Sequence, residues 1–167
     1  ILIFMSLVFV SCSDKPVNMD TQLYELAGKY LTKADFSTIP FYNKRVYYGP
    51  AYSLHKNGEK KEKGDIINGA KSGIWSGWDD KGNLKFKGSY FEGNEDGPWK
   101  GYHANGKIKY EGEYKNGKQI ETWKYYNKRG KMITEEVYYT CDEDCTKQPI
   151  PDWCRNEGKV KKSKNFK

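Results

Sequence analysis

The sequence predicts an all-β protein, an elongated antiparallel meander of stacked β-hairpins with one short helix near the N-terminus. Three tryptophans, Trp75, Trp99 and Trp123, recur at intervals of 24 residues. Gly82, Gly106 and Gly130 each follow one of these tryptophans by seven residues. A period this regular indicates an array of repeats.

Turn signals divide the array at intervals of 11 to 13 residues. They are Asn57-Gly58, Asn68-Gly69, Lys81-Gly82, Gly93-Asn94, Asn105-Gly106, Asn116-Gly117 and Arg129-Gly130. Asn-Gly supplies the two positive-φ residues of a type I′ turn, so each signal predicts a tight hairpin. Seven turns predict about eight antiparallel strands between Arg45 and Tyr139.

The longer strand of each repeat alternates strictly between two kinds of side chain. Leu84, Phe86, Gly88 and Tyr90 fall on one side of one strand, and Ile108, Tyr110, Gly112 and Tyr114 on the same side of the next. Lysine and glutamate mostly occupy the positions between them. Because side chains in a strand alternate between faces, the sheet is predicted to have a ring face and a charged face.

The first segment, residues 1–11, is a mostly apolar run that is too short to span a bilayer and typical of a signal-peptide core. It leads into Cys12 and Ser13, and residues 9–13 resemble the lipobox of bacterial lipoproteins. The resemblance implies lipidation of Cys12 and, from Ser13, an address at the outer membrane of the bacterial cell envelope. An ordinary cleaved signal peptide and a buried strand are the alternatives.

Residues 12–40 are predicted to form a lipidated linker and a capping helix. Apolar residues recur with a helical period over residues 19–34, and Asp20 is placed as an N-cap. We expect the apolar face of this helix to cover one end of the sheet, because terminal units of an array need a cover. Binding of a partner by the helix is the alternative.

The C-terminal segment, residues 140–167, contains a cysteine loop and a basic tail. Two of Cys141, Cys145 and Cys154 can form a disulfide in an oxidising compartment, and a zinc site lacks a nearby histidine. Residues 155–167 hold six of the basic residues against one acid, in a chain of net charge +7. We expect a solvated, disordered tail there, and no nucleic-acid site.

The best-kept repeat spans residues 110–118 and is followed by Trp123. Its sequence, Tyr-Glu-Gly-Glu-Tyr-Lys-Asn-Gly-Lys, resembles a MORN repeat in the bacterial variant form. The match covers residues 53–138, and the repeat sheet as a whole is predicted for residues 41–139. The resemblance implies short β-hairpins stacked into a twisted sheet. Three positions depart from the repeat: Ile66 replaces a ring, and Glu121 and Glu136 replace glycines.

The aromatic residues are the candidate binding face for a peptide, glycan or lipid headgroup. They are Trp75, Trp78, Tyr90, Trp99, Tyr102, Tyr110, Tyr114, Trp123 and Tyr126. The same rings are also the expected core of a single sheet that has little else to pack. Trp75 and Trp78 would point to opposite faces of a regular strand, so either a bulge separates them or both faces are partly apolar.

No catalytic, metal or cofactor site is predicted. The two histidines, His55 and His103, lie outside any metal-ligand or nucleophile motif and are expected at strand ends, facing solvent. The sequence therefore favours a non-enzymatic lipoprotein, held at the membrane by its N-terminal lipid, whose sheet binds an unknown protein. An antitoxin or immunity-type protein that neutralises a toxin and a binder of cell-envelope glycans are the alternatives.

Overall fold

The computed structural model of the protein describes residues 15–26, 29–32, 46–139 and 157–166. Their dominant feature is one sheet of ten strands. In their order across the sheet, its strands are β1 (Val17–Asn18), β4 (Gly49–Leu54), β5 (Lys60–Ile67), β6 (Ala70–Trp78), β7 (Leu84–Phe91), β8 (Asn94–Tyr102), β9 (Ile108–Lys115), β10 (Lys118–Tyr126), β11 (Met132–Tyr138) and β12 (Val160–Asn165). A separate two-stranded sheet pairs β2 (Leu23–Leu26) with β3 (Lys29–Thr32).

Strands β4 to β11 confirm the predicted meander. Each pairs antiparallel with the next along the chain, which makes eight strands and seven hairpin connections. The first and last strands of the sheet lie outside this meander. Strand β1 pairs parallel to β4, and β12 pairs antiparallel to β11. The repeat array is therefore covered at both edges by segments that do not belong to it.

The hairpin connections alternate between two types along the array. Three are two-residue turns with positive φ at both residues, at residues 68–69, 92–93 and 116–117. In the second of these the turn is Glu92-Gly93, one residue earlier than the Gly93-Asn94 turn that the sequence predicted. The glycine N–H of each turn donates a hydrogen bond to a backbone carbonyl earlier in the chain, at Tyr47, Lys71 and Glu95. The second and third of these hairpins are thereby hydrogen-bonded to the two-residue-turn hairpin before them, and the first is bonded to the segment that precedes β4.

The other four connections are not type I′ turns, which corrects the prediction for them. In each, a glycine N–H donates to the carbonyl three residues earlier, and only the glycine has a positive φ. These glycines are Gly58, Gly82, Gly106 and Gly130. This is the geometry of a three-residue hairpin loop, in which the glycine alone takes the left-handed conformation.

The core of the sheet consists of tryptophans stacked on glycines. A Cβ atom added to Gly88 would lie 1.9 Å from the Trp99 ring, and one added to Gly112 would lie 2.3 Å from Trp123. The same relation holds between Gly64 and Trp75, at 2.4 Å. Each tryptophan therefore lies flat against the preceding strand, in space that any other residue would fill.

A bulge precedes each of these tryptophans. The pairing register shifts beside Trp75, Trp99 and Trp123, and the residue two positions before each has a positive φ. In the first two repeats that residue is a glycine, and in the third it is Glu121, at φ +55°. Glu121 thus keeps the backbone conformation of the glycine that it replaces.

The N-terminal helix is much shorter than predicted. Helix α1 spans only Met19–Gln22, and the predicted helical segment continues as the strands β2 and β3. Gly28 in the middle of the segment weakens a helix by about 1 kcal/mol, and strand pairing replaces the helical hydrogen bonds. Met19 and Leu23 are nevertheless buried in a cluster with Ala51, which takes the place of the repeated tryptophan. The expected cover of the first sheet end is therefore provided by this short segment.

The C-terminal tail is not disordered over the described residues 157–166. Strand β12 pairs with β11, with Lys162 opposite Val137 and Lys164 opposite Glu135. Its six residues are all exposed, as expected of a lysine-rich edge strand that discourages further strand pairing. The predicted lipidation at Cys12 and the disulfide among Cys141, Cys145 and Cys154 lie outside the described residues.

Candidate functional site

Six of the nine predicted binding residues pack against one another on the ring face. Ring centroids lie 6.1 Å apart for Trp75 and Tyr90, 5.3 Å for Tyr90 and Trp99, and 5.4 Å for Trp99 and Tyr114. Tyr114 in turn lies 4.9 Å from Trp123, which also packs against Tyr110. Mainly edge-to-face contacts thus run through the whole array. The exposed fractions of Trp75, Trp99 and Trp123 are 0%, 7% and 1%, so these three rings have almost no free surface.

The remaining three, Trp78, Tyr102 and Tyr126, lie outside the two described core clusters. The register shifts beside Trp78 and Tyr102, so a bulge does separate them from the preceding tryptophan. The hydroxyl of Tyr126 donates a 2.7 Å hydrogen bond to Glu111, which strand alternation places on the charged face. Both explanations that the sequence left open therefore apply: there is a bulge, and the charged face carries rings too.

Both histidines make hydrogen bonds to the neighbouring hairpin instead of facing solvent only. Nε2 of His55 lies 2.9 Å from the Trp78 carbonyl, and Nε2 of His103 lies 2.8 Å from the Tyr126 carbonyl. Asn57 and Asn105 make the same kind of contact, to the carbonyls of Asp80 and Lys128. These side chains link successive three-residue loops by hydrogen bonds at one end of the strands, which is a structural role.

Burial raises the pKa values of tyrosines in the second half of the array. It raises the pKa of Tyr114 to about 12, and it raises the pKa of Tyr138, whose hydroxyl also bonds Tyr125 and Glu136. A phenol with a raised pKa stays protonated at neutral pH. Neither hydroxyl therefore offers a base, and that of Tyr138 bonds to its neighbours in the core. In the parts of the chain that the structure describes, no group of histidines, cysteines or carboxylates is arranged to hold a metal ion.

The charged face carries an exposed apolar group in its first half. Ile67, Ile74 and Phe91 are 41%, 55% and 60% exposed. Ile74 lies opposite Ser89, two residues from Phe91 on β7, and Ile67 ends the adjacent strand β5. All three lie toward the ends of the strands that are joined by the two-residue turns. Exposed apolar side chains grouped on three adjacent strands make this region a candidate interaction site.

Lysines occupy the same face on the same strands. Lys63, Lys85 and Lys87 are exposed, and the register places Lys63 and Lys87 on either side of Ser76 in one row across three strands. None of the ion pairs found among the described residues involves these three lysines. We call the six residues Ile67, Ile74, Phe91, Lys63, Lys85 and Lys87 the Phe91 surface.

Three lysines in the second half of the charged face form ion pairs within the protein. Lys100 pairs with Glu111 at 3.0 Å, Lys115 with Asp96 at 3.2 Å, and Lys118 with Glu157 at 2.8 Å. The Tyr126 hydroxyl and then Lys100 hold the pKa of Glu111 below its ordinary value. These three cations have partners within the protein, whereas the lysines of the Phe91 surface occur in no ion pair among the described residues.

The apolar part of the Phe91 surface was absent from the predicted binding residues. The signal was present in the sequence, because strand alternation places Phe91 and Ile67 among lysines and carboxylates instead of among the rings. An apolar residue at a position of the exposed face is the feature that separates a candidate binding residue from a core residue here.

Comparison with known proteins identifies no family. No protein-family model and no curated protein matches the chain. One solved structure that it matches is described as "Crystal structure of GtfA/B complex bound to UDP and GlcNAc". The match has a TM-score of 0.25 and 14% identity, and it covers 75% of this chain and 23% of the other. No helix among the described residues is long and apolar enough to cross a membrane.

Proposed function

We propose that this protein is a non-enzymatic bacterial lipoprotein, tethered to the membrane through Cys12, whose MORN-like repeat sheet is a scaffold for binding another protein. The observation that carries the proposal is the Phe91 surface. The rings of the opposite face are occupied by packing against each other, whereas this surface combines exposed apolar side chains with lysines that form no ion pair with any other described residue. An apolar centre beside unsatisfied charge is suited to protein contact.

The tether is supported by the sequence alone. A lipid at Cys12 followed by a polar spacer would place the sheet close to a membrane surface, and acyl chains contribute about 0.8 kcal/mol per buried methylene. Confined to that surface, the sheet meets partners of the same compartment at a raised effective concentration.

Two measurements test the proposal. Growth with a radiolabelled fatty acid should label the full-length protein, and the label should be lost in Cys12→Ala while Cys141→Ala retains it. Chemical cross-linking of the protein in its native cells should then yield a specific protein adduct whose amount falls when the tether is lost. An unlabelled protein would refute the tether, and a chain that forms no adduct with any protein would refute the scaffold.

A further inference from the structure

We infer that the Phe91 surface binds an extended, acidic segment of a partner protein that also carries apolar side chains. The inference rests on the proposed scaffold function and names the chemistry of what the scaffold binds. Three geometric facts lead to it: the spacing of the lysines, the separation of lysines from apolar residues, and the placement of carboxylates around them.

The lysine row sets the spacing of the acidic groups. Lys63 and Lys87 lie two strands apart in one row, which is about 10 Å at the usual spacing of strands. A segment in the extended polyproline II conformation has three residues per turn and rises about 3.1 Å per residue, so carboxylates three residues apart would lie on one side, about 9 Å apart, and match the two lysines. Their ammonium groups are exposed, so the contacts form at the cost of little desolvation.

The apolar residues lie near one end of strands β5 and β7, apart from the lysines of the same strands. Phe91 is four residues from Lys87 on β7, and Ile67 is four residues from Lys63 on β5, which is about 13 Å in each case. A segment that meets both groups therefore needs acidic and apolar side chains in separate clusters, and cannot be a simple polyanion. Phe91 is the most exposed of the large apolar side chains described, so it is the natural anchor.

Carboxylates near the apolar residues disfavour an anionic lipid surface as the ligand. Asp65 lies between Ile67 and Lys63 on the same face, and exposed Glu92 follows Phe91 directly. If Phe91 entered a lipid layer, Glu92 would be brought against phosphate groups of the same charge. A protein segment avoids this repulsion by presenting its apolar residues there and its acidic residues only at the lysines.

Site-specific photo-cross-linking in full-length, lipidated protein tests the inference. Phe91 is replaced by the photoreactive residue p-benzoylphenylalanine, and Ile133, an exposed residue of the second half, carries the same probe as a matched control. After illumination of living cells, mass spectrometry identifies the cross-linked segment. We expect an adduct at residue 91 with an acidic segment of a protein, and little or none of that adduct at residue 133.

Charge reversal then tests the role of the lysines. Lys63→Glu combined with Lys87→Glu should lower the yield of the residue 91 adduct at least tenfold. Lysine substitutions at the acidic residues of the captured segment should restore it. The matched control, Lys109→Glu combined with Lys124→Glu, reverses the same number of charges outside the surface and should leave the yield within twofold.

Each other outcome counts against the inference in a distinct way. Adducts at residue 133 but none at residue 91 would overturn the inference while leaving the scaffold function intact. If the yield of the protein adduct at residue 91 did not change on charge reversal, the acidic character inferred for the partner segment would be wrong. Phospholipid adducts at residue 91, together with binding of the protein to phosphatidylglycerol vesicles that the Lys63/Lys87 double substitution abolishes, would replace the protein segment by a membrane. No protein adduct at either position would overturn the scaffold itself.

Discussion

The two halves of the sheet are alike on the ring face and different on the charged face. On the ring face, Trp75 in the first half and Trp123 in the second are both buried over a glycine, and the indole N–H of each donates to a backbone carbonyl at 3.1 Å. On the charged face, the first half has exposed apolar residues and lysines outside the described ion pairs. In the second half, three lysines are paired with carboxylates.

This difference separates the residues that build the sheet from those that are free to vary. A tryptophan that lies on glycine cannot be exchanged without clash or cavity, so the ring face repeats faithfully. Positions on the charged face touch little, and their residues change the surface at small cost in stability. Lys87 and Glu111 are 24 residues apart and occupy the same place in successive repeats. Glu111 forms an ion pair with Lys100, whereas Lys87 forms none among the described residues. Recognition is therefore expected where repeats differ.

The largest expected effect comes from truncating the core ring of either half. Trp75→Ala and Trp123→Ala should each lower the free energy of unfolding by about 3–5 kcal/mol, because each leaves a ring-sized cavity. The measurement is denaturant unfolding followed by far-ultraviolet circular dichroism, which does not depend on tryptophan fluorescence. Losses that differ by more than about 2 kcal/mol between the two variants would contradict the equivalence of the two ring faces.

The glycines beneath the tryptophans should be nearly as sensitive. In Gly88→Ala and Gly112→Ala the new methyl group would meet an indole at 1.9 Å and 2.3 Å, so the ring must move. We expect a loss of about 1–3 kcal/mol in the same unfolding assay. The control is Ser89→Ala, which changes the next residue of the strand, on the charged face. Its free energy of unfolding should stay within about 0.5 kcal/mol of the wild-type value. An unchanged Gly88→Ala would mean that the ring is not held against the strand.

Much of this architecture follows from the sequence, because local chemistry and period agree within the array. Turn glycines, strand alternation and the 24-residue spacing predicted the eight strands and the ring face. The turn types were only partly predicted, since Asn-Gly suits both the two-residue turn at residues 68–69 and the three-residue loop that ends at Gly58. Local sequence does not distinguish the two, and the register of the flanking strands does.

Outside the array the sequence was a weaker guide. Residues 19–34 have a helical period, but the helix ends at Gln22, and Leu23 already belongs to strand β2. Met19 and Leu23 are both buried in the core. Tertiary packing overrode the local pattern there. The basic tail forms strand β12 because β11 would otherwise leave its backbone groups unpaired. The candidate binding residues were chosen for their rings, and most of those rings belong to the core.

Replacing Glu121 with glycine, the residue at the equivalent position of the other two repeats, should increase the stability of the protein. Its φ of +55° is left-handed, whereas Gly73 and Gly97 occupy the equivalent place in the other repeats. A left-handed residue with a side chain costs about 1–2 kcal/mol, of which the greater unfolded-state freedom of glycine cancels part. Glu121→Gly should therefore stabilise the protein by roughly 0.5–1 kcal/mol, and Gly97→Ala should destabilise it. A less stable Glu121→Gly would show that the glutamate side chain outweighs the backbone strain.

The smallest expected effect concerns the charge pair that distinguishes the two halves. The pKa of Glu111 is lowered in the folded state, first by the Tyr126 hydroxyl and then by Lys100, so the folded protein favours the ionised carboxylate. Its stabilisation is present above the ordinary pKa of 4.5 and is lost as the pH falls through the lower folded value. Because both side chains of the pair are partly exposed, Glu111→Gln should cost at most about 1 kcal/mol at pH 7.

Unfolding midpoints at pH 7 and about pH 2 measure this contribution, with Lys87→Gln as the matched change in the first half. Glu111→Gln should be less stable than the wild type at pH 7 and close to it once Glu111 is protonated. Lys87→Gln should leave the midpoint unchanged at both pH values, because no ion pair described here involves Lys87. If Lys87→Gln were as destabilising as Glu111→Gln, Lys87 would already have a partner within the chain, and the lysines of the first half would no longer be free to bind an acidic segment.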